Sequence, residues 1–236
     1  MHTSYDIEFG GMKGIQNKVL IVRRPSIPAP KKRYSTLIIP GRDGTLYIDD
    51  DAYEDIPVSI EMNYMSKNKD LWHEDFRRCK RWLLHPKNDV LKFSDDPTYY
   101  RKVRKVEIDT NVRNSLRIGK FTATFTVAPY EYRLDGNRFM TAAECRDNPL
   151  DMCKPCYYIT GEGKCTLTVN GKSVTVEVGQ NVMLDTERRI AYRQDGNLVN
   201  TSMTGYHEDL WMSEGRNEIT VTNGFDLKIK PNWRCL

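Results

Sequence analysis

The 236-residue chain has no run of 18 apolar residues, which excludes a membrane-crossing helix. The opening Met1-His2-Thr3-Ser4-Tyr5-Asp6 has no basic segment followed by an apolar one, so no secretory leader is expected. The six cysteines are then expected to stay reduced in a cytosol. Histidine is scarce. His2, His73, His85 and His207 are the whole set, and none pairs with another at HxH or HxxxH spacing, so no histidine metal site is visible. Gly-x-Ser-x-Gly and P-loop patterns are missing too, which removes two common routes to catalysis. Net charge is only +4, too mild for a nucleic-acid binder, which clusters its Lys and Arg on one element. The Lys31-Lys32-Arg33 run and the Arg101-Lys102 and Arg104-Lys105 pairs read as solvated strand or loop faces. Hydrophobic residues make up 39%, which suits two modest cores better than one large one.

What is present is mostly strand. Tyr5, Ile7 and Phe9 alternate with polar residues, and Val19-Leu20-Ile21-Val22 is a short apolar run. Pro25, Pro28 and Pro30 then make a semi-rigid arm that cannot be a central strand. Ile38-Ile39-Pro40-Gly41-Arg42-Asp43-Gly44-Thr45-Leu46 follows, two extended apolar runs meeting at a tight loop. Arg42 is held out at its tip as a fixed cation with five donors, suited to a carboxylate or a protein neighbour. Asp49-Asp50-Asp51 reads as an acidic turn without the spaced ligands and distal Glu of a Ca²⁺ loop. Ile56, Val58, Ile60 and Met62 alternate as a half-buried strand.

One helix is expected, from Asn68 to Leu84. Trp72, Phe76, Cys79 and Leu83 lie on one stripe, Asn68 is its N-cap and His85-Pro86 ends it. Strands resume at Val90–Phe93 and Tyr99–Ile108, with Tyr99 and Val103 inward, and at Phe121–Val127, stopping at Ala128-Pro129-Tyr130-Glu131-Tyr132. The texture changes after Arg133. Residues 1–133 form one domain, and 134–236 a second of short strands with turns at Asn170-Gly171 and Asn223-Gly224, both of the type I′ class, as expected of a β-sandwich.

The strongest chemical motif is Cys153-Lys154-Pro155-Cys156, which can bind a metal or exchange thiols. Cys145 and Cys165 flank it at spacings unlike a zinc ribbon, and the motif does not open a helix beside a βαβ unit. A lectin reading would use Trp211 as a stacking ring, near His207, Glu208 and Asp209. No coherent catalytic set emerges, and no cofactor is called for.

The order of these pieces resembles a known family. The Arg-Pro-Ser-Ile-Pro-Ala-Pro arm precedes Ile-Pro-Gly-Arg-Asp-Gly-Thr-Leu, one amphipathic helix follows, strands run to Ala128-Pro129-Tyr130-Glu131-Tyr132, and the chain closes on Asn223-Gly224 and Pro231-Asn232-Trp233-Arg234. This is similar to the distal tail (Dit) proteins of siphophages infecting Gram-positive bacteria, over nearly the whole chain. The resemblance implies a mainly β fold: an N-terminal β-sandwich or split barrel with one helix and a projecting hairpin, then a galectin-like β-sandwich. It implies a non-enzymatic hub at the distal end of the virion tail, a homohexameric ring between the tail tube protein and the tail-associated tip or fibre protein, with DNA passing through its lumen as cargo and no membrane insertion. The interface is then expected to use Arg42, Asp43, Asp49, Asp50 and Asp51, together with a protruding basic hairpin around 101–118 carrying Arg101, Arg104, Arg113 and Arg117. A carbohydrate-binding module using Trp211 is the alternative.

Overall fold

The computed structural model describes residues 5–236. The leader reading at residues 1–4, with His2, lies outside them. By its contacts the chain divides into two compact units, Met1–Glu131 with Leu236, and Tyr132–Cys235.

The first unit is built on β1 (Ile7–Phe9), β2 (Met12–Lys13), β3 (Val19–Ile21), β4 (Lys32–Leu37), β5 (Leu46–Tyr53), β6 (Ile56–Met65), α1 (Trp72–Leu84), β7 (Val90–Phe93), β8 (Asp96–Ile108), β9 (Val112–Arg113) and β10 (Ile118–Arg133). Its main sheet runs β2-β1-β7-β8-β10-β6-β3, with β9 on β10. The alternation of β6 turns Ile56, Val58, Ile60, Met62 and Tyr64 inward, and its partner β10 turns in Phe121, Ala123, Phe125 and Val127. Helix α1 lies over this face. Trp72, Cys79, Trp82 and Leu83 are buried, Phe76 packs on the Tyr64 ring, and Trp82 Nε1 donates to the Phe9 carbonyl at 3.0 Å. Asn68 caps the turn leading into the helix, its Oδ1 accepting from Leu71 N at 3.1 Å.

Three local expectations change. Asp49–Asp51 is not a turn but part of β5; the strand absorbs the extra residues in a bulge, with Asp51 at φ 49°. On β8 the buried residues are Tyr100, Arg101 and Val103, of which Val103 joins the core, while Tyr99 is only half-buried. Pro129 does not stop β10, which continues to Arg133. Pairing with β6 ends at Val127, so the missing Pro129 N–H removes no bond on that side.

The second unit holds α2 (Ala142–Cys145), β11 (Asp147–Asn148), β12 (Cys156–Val169), β13 (Lys172–Asp185), β14 (Ile190–Tyr192), β15 (Met203–Thr204), β16 (Gly215–Arg216), β17 (Ile219–Val221) and β18 (Asp226–Lys230). In place of uniformly short strands, a 14-residue pair dominates one six-stranded sheet; β11 and β16 form a separate two-stranded one. The β12–β13 turn is Asn170 (φ 51°) and Gly171 (φ 80°), the expected type I′ pair. Positive φ at Gly161, Gly163 and Gln180 marks irregularities along the ribbon. Asn223-Gly224 differs from the expectation. Only Gly224 has positive φ, and β17 and β18 pair with β12 instead of each other. Phe225, just past this turn, packs against Gly161, where a Cβ would stand 2.4 Å from its ring. Tyr157, Ile159, Leu167, Val176 and Leu184 fill the core.

Candidate assembly surface

β4 and β5 form a two-stranded sheet of their own, pairing Leu37 with Leu46 and Tyr34 with Asp49. Proline keeps the preceding stretch out of any ladder, so residues 23–31 have no regular structure. Arg23 pairs with Glu61 at 2.7 Å and Arg24 with Asp95 at 3.3 Å, which tie the root of this arm to the main sheet. At the far end Arg42 N donates to the Ile39 carbonyl at 3.2 Å, and Gly41 and Gly44 have φ near 80°. Only glycine adopts that conformation without strain. Arg42 and Asp43 are both exposed at the tip.

The ribbon is apolar as well as exposed. Ile38 is 79% and Tyr47 66% accessible, and Tyr34, Leu37, Ile39 and Ile48 are open too. The Tyr34 and Tyr47 rings meet edge to face, 6.4 Å apart. Its acidic run is already engaged. Asp49 pairs with Lys32, Asp50 takes Arg33 at 3.2 Å and the Ser35 hydroxyl at 2.6 Å, and Asp51 N donates to Asp49 at 2.9 Å. The Lys32 ammonium, then the Asp51 N–H, hold the Asp49 carboxyl below its usual range.

The protruding hairpin is therefore 32–53, not 101–118. β8 and β10 are neighbours within the main sheet, and the four arginines expected on a basic arm lie in different settings. Arg101 is 7% exposed and pairs with Glu131. Arg113 donates to the Leu116 carbonyl at 2.8 Å and lies 5.1 Å over the Trp72 ring. Arg117 Nε donates to the Ser66 carbonyl at 2.9 Å. The last two staple the loop before β10 to the helix entrance. Arg104 is exposed on β8.

The cysteine motif does not assemble into a reactive or metal-holding site. Cys145, Cys153, Cys156 and Cys165 are all buried free thiols. Burial pushes Cys153 and Cys156 up to about 12 and Cys145 to about 11, the opposite of what a thiolate nucleophile needs. No group of three or more His, Cys, Asp or Glu among the described residues is arranged to hold a metal. Trp211 is half-buried. Lys154 Nζ sits 4.4 Å over its ring, and burial lowers that lysine's pKa.

No protein-family model and no curated protein matches the chain. Solved structures do, and they define the class: a mainly β, Dit-like fold. One is the SPP1 Dit (gp 19.1) protein, described as a paradigm of hub adsorption apparatus in Gram-positive infecting phages. It aligns with a TM-score of 0.61 at 13% identity, over 96% of this chain and 98% of that one. A second is the phage P2 baseplate in its activated conformation with Ca, at TM-score 0.52 and 9% identity, over 95% and 96% of the two chains.

Proposed function

We propose that this protein is a structural subunit of a phage tail-tip hub at the distal end of the virion tail. Six copies close into a ring that joins the tail tube protein to the tail-associated tip or fibre protein, and DNA passes through the lumen. The role is one of assembly, without turnover. The N-terminal domain, 1–133, forms the ring; the C-terminal domain, 134–236, is a galectin-like module on it. The observation that carries this reading is the fold shared with a hub protein along almost the full length of both chains. The β4–β5 ribbon supports it independently. A two-stranded ribbon with apolar residues in water is at best marginally stable alone, and such patches mark protein contacts.

Light scattering with negative-stain imaging of the purified protein tests the proposal. The expected particle is a six-fold ring, about 100 Å across from six compact subunits. A monomer that stays monomeric when mixed with the tail tube protein would overturn it.

A further inference from the structure

Beside the root of the proline arm lies a recess of about 280 Å³ in the first unit. Tyr5, Phe93, Asp95, Asp96, Arg101 and Glu131 line it, with Arg24 and Ile27 of the arm along one side. Its chemistry already holds a guanidinium. Arg24 Cζ lies 5.7 Å over the Tyr5 ring while its Nε is 3.3 Å from Asp95, and Phe93 stacks beneath Tyr5 with centroids 6.5 Å apart. An aromatic face beside a carboxylate is the setting arginine prefers at contacts. Charge in the recess is not balanced. Three carboxylates (Asp95, Asp96 and Glu131) face two guanidinium groups (Arg24 and Arg101), one negative charge in excess. Arg24 takes Asp95 and Arg101 takes Glu131, while Asp96 has no ion pair among the described residues.

Arg42 is presented in a form that fits this recess. Arg42 stands at the tip of the β4–β5 ribbon between two glycines, flanked by exposed Ile38 and Ile39. Strands of this length extend roughly 20–25 Å at about 3.3 Å per residue, enough to carry the tip onto a neighbouring subunit. Resting on the ring reading above, we propose that Arg42 of each subunit seats in the recess of the next, beside Asp96. Ile38 and Ile39 close over the rim and exclude water, which strengthens the charge pair. Tip and recess are different surfaces, so the contact is head-to-tail and propagates around a ring instead of stopping at a two-fold dimer.

A charge swap in the full-length chain tests this, read by light scattering of the ring fraction at a fixed protein concentration. Arg42→Glu and Asp96→Arg should each weaken ring formation about thirtyfold, the size of an interface hot spot of about 2 kcal/mol. The double variant should recover most of it. Rings from both single variants that match the unsubstituted protein would overturn the contact and leave the hub reading standing; an unsubstituted protein that forms no ring even when mixed with the tail tube protein would overturn the hub reading itself. If Asp96→Arg fails to fold, the pair Arg42→Cys with Asp96→Cys decides. Oxidation of assembled protein should give a ladder of covalent oligomers, and its absence in intact rings would overturn the contact.

Discussion

The β4–β5 and β12–β13 hairpins are both antiparallel ribbons closed by turns with glycine at positive φ. One leaves Ile38 and Tyr47 in water; the other sinks Ile159, Leu167 and Val176 into a core and is flanked by β14, β17 and β18. The difference lies in the partners around each ribbon. The proline arm before β4 removes the donors a third strand would need, and both faces of the ribbon remain open. Apolar residues in β12 therefore specify the subunit, whereas those in β4 and β5 are left to specify what the subunit joins.

Core deletion should separate the two most sharply. Leu167→Ala removes a fully buried side chain and should cost about 2–5 kcal/mol of stability, measured by urea unfolding. Ile38→Ala should change the stability of the isolated subunit by less than about 0.5 kcal/mol and reduce ring formation instead. A comparable loss of subunit stability in both would show that the ribbon packs on its own fold, and the contrast would fail.

That contrast was only half legible in the sequence. Period-two patterning gave β6 and β10, and the stripe from Trp72 to Leu83 with the Asn68 cap gave α1, because each is decided by residues close in the chain. By its local pattern Arg101 belongs to a solvated face. Its burial depends on Glu131, thirty positions away on another strand, and no local pattern carries that information. Short strands were expected throughout the second unit, yet β12 and β13 run on for 14 residues each. For the assembly surface, the Arg42 loop was visible as a tip. The exposure of both ribbon faces was not, since alternation and apolar runs look the same whether a third layer covers them or water does. The arm at Pro25, Pro28 and Pro30, directly before the strands, was the available signal.

Alkaline pH should act on the second unit through a buried thiol of its long ribbon. Burial raises Cys156, on β12, to about 12. A group whose folded pKa is raised holds its full contribution below its unfolded value, about 8.5, and loses it as pH climbs toward the folded value. By pH 10 this thiol alone should cost the second unit about 2 kcal/mol, from the 1.4 kcal/mol per pH unit of linkage. Cys156→Ala should lessen the fall in thermal midpoint between pH 9 and 11, with buried Cys145 and Cys153 leaving a remainder, and the native Cys156 thiol should resist iodoacetamide at pH 8. A rapid reaction there would mean that the β12 core opens readily.

The smallest effect is expected at the base of the exposed ribbon. Lys32, hydrogen-bonded to Asp49, holds that carboxyl below its ordinary range, so whatever the pair contributes is present above the unfolded Asp value near 4 and fades as pH falls through the folded one. Both side chains face solvent, where water and salt screen them. Asp49→Asn should accordingly leave the thermal midpoint of the subunit unchanged at pH 7, and 1 M NaCl should not alter that result. It should also leave rings intact, because Asp49 is spent on its own strand pair and has no cation left to seek on a neighbour. A clear drop in midpoint would instead tie the ribbon's base to the core. Lost rings with an unchanged midpoint would move the assembly contact from the tip at Arg42 down to the acidic run.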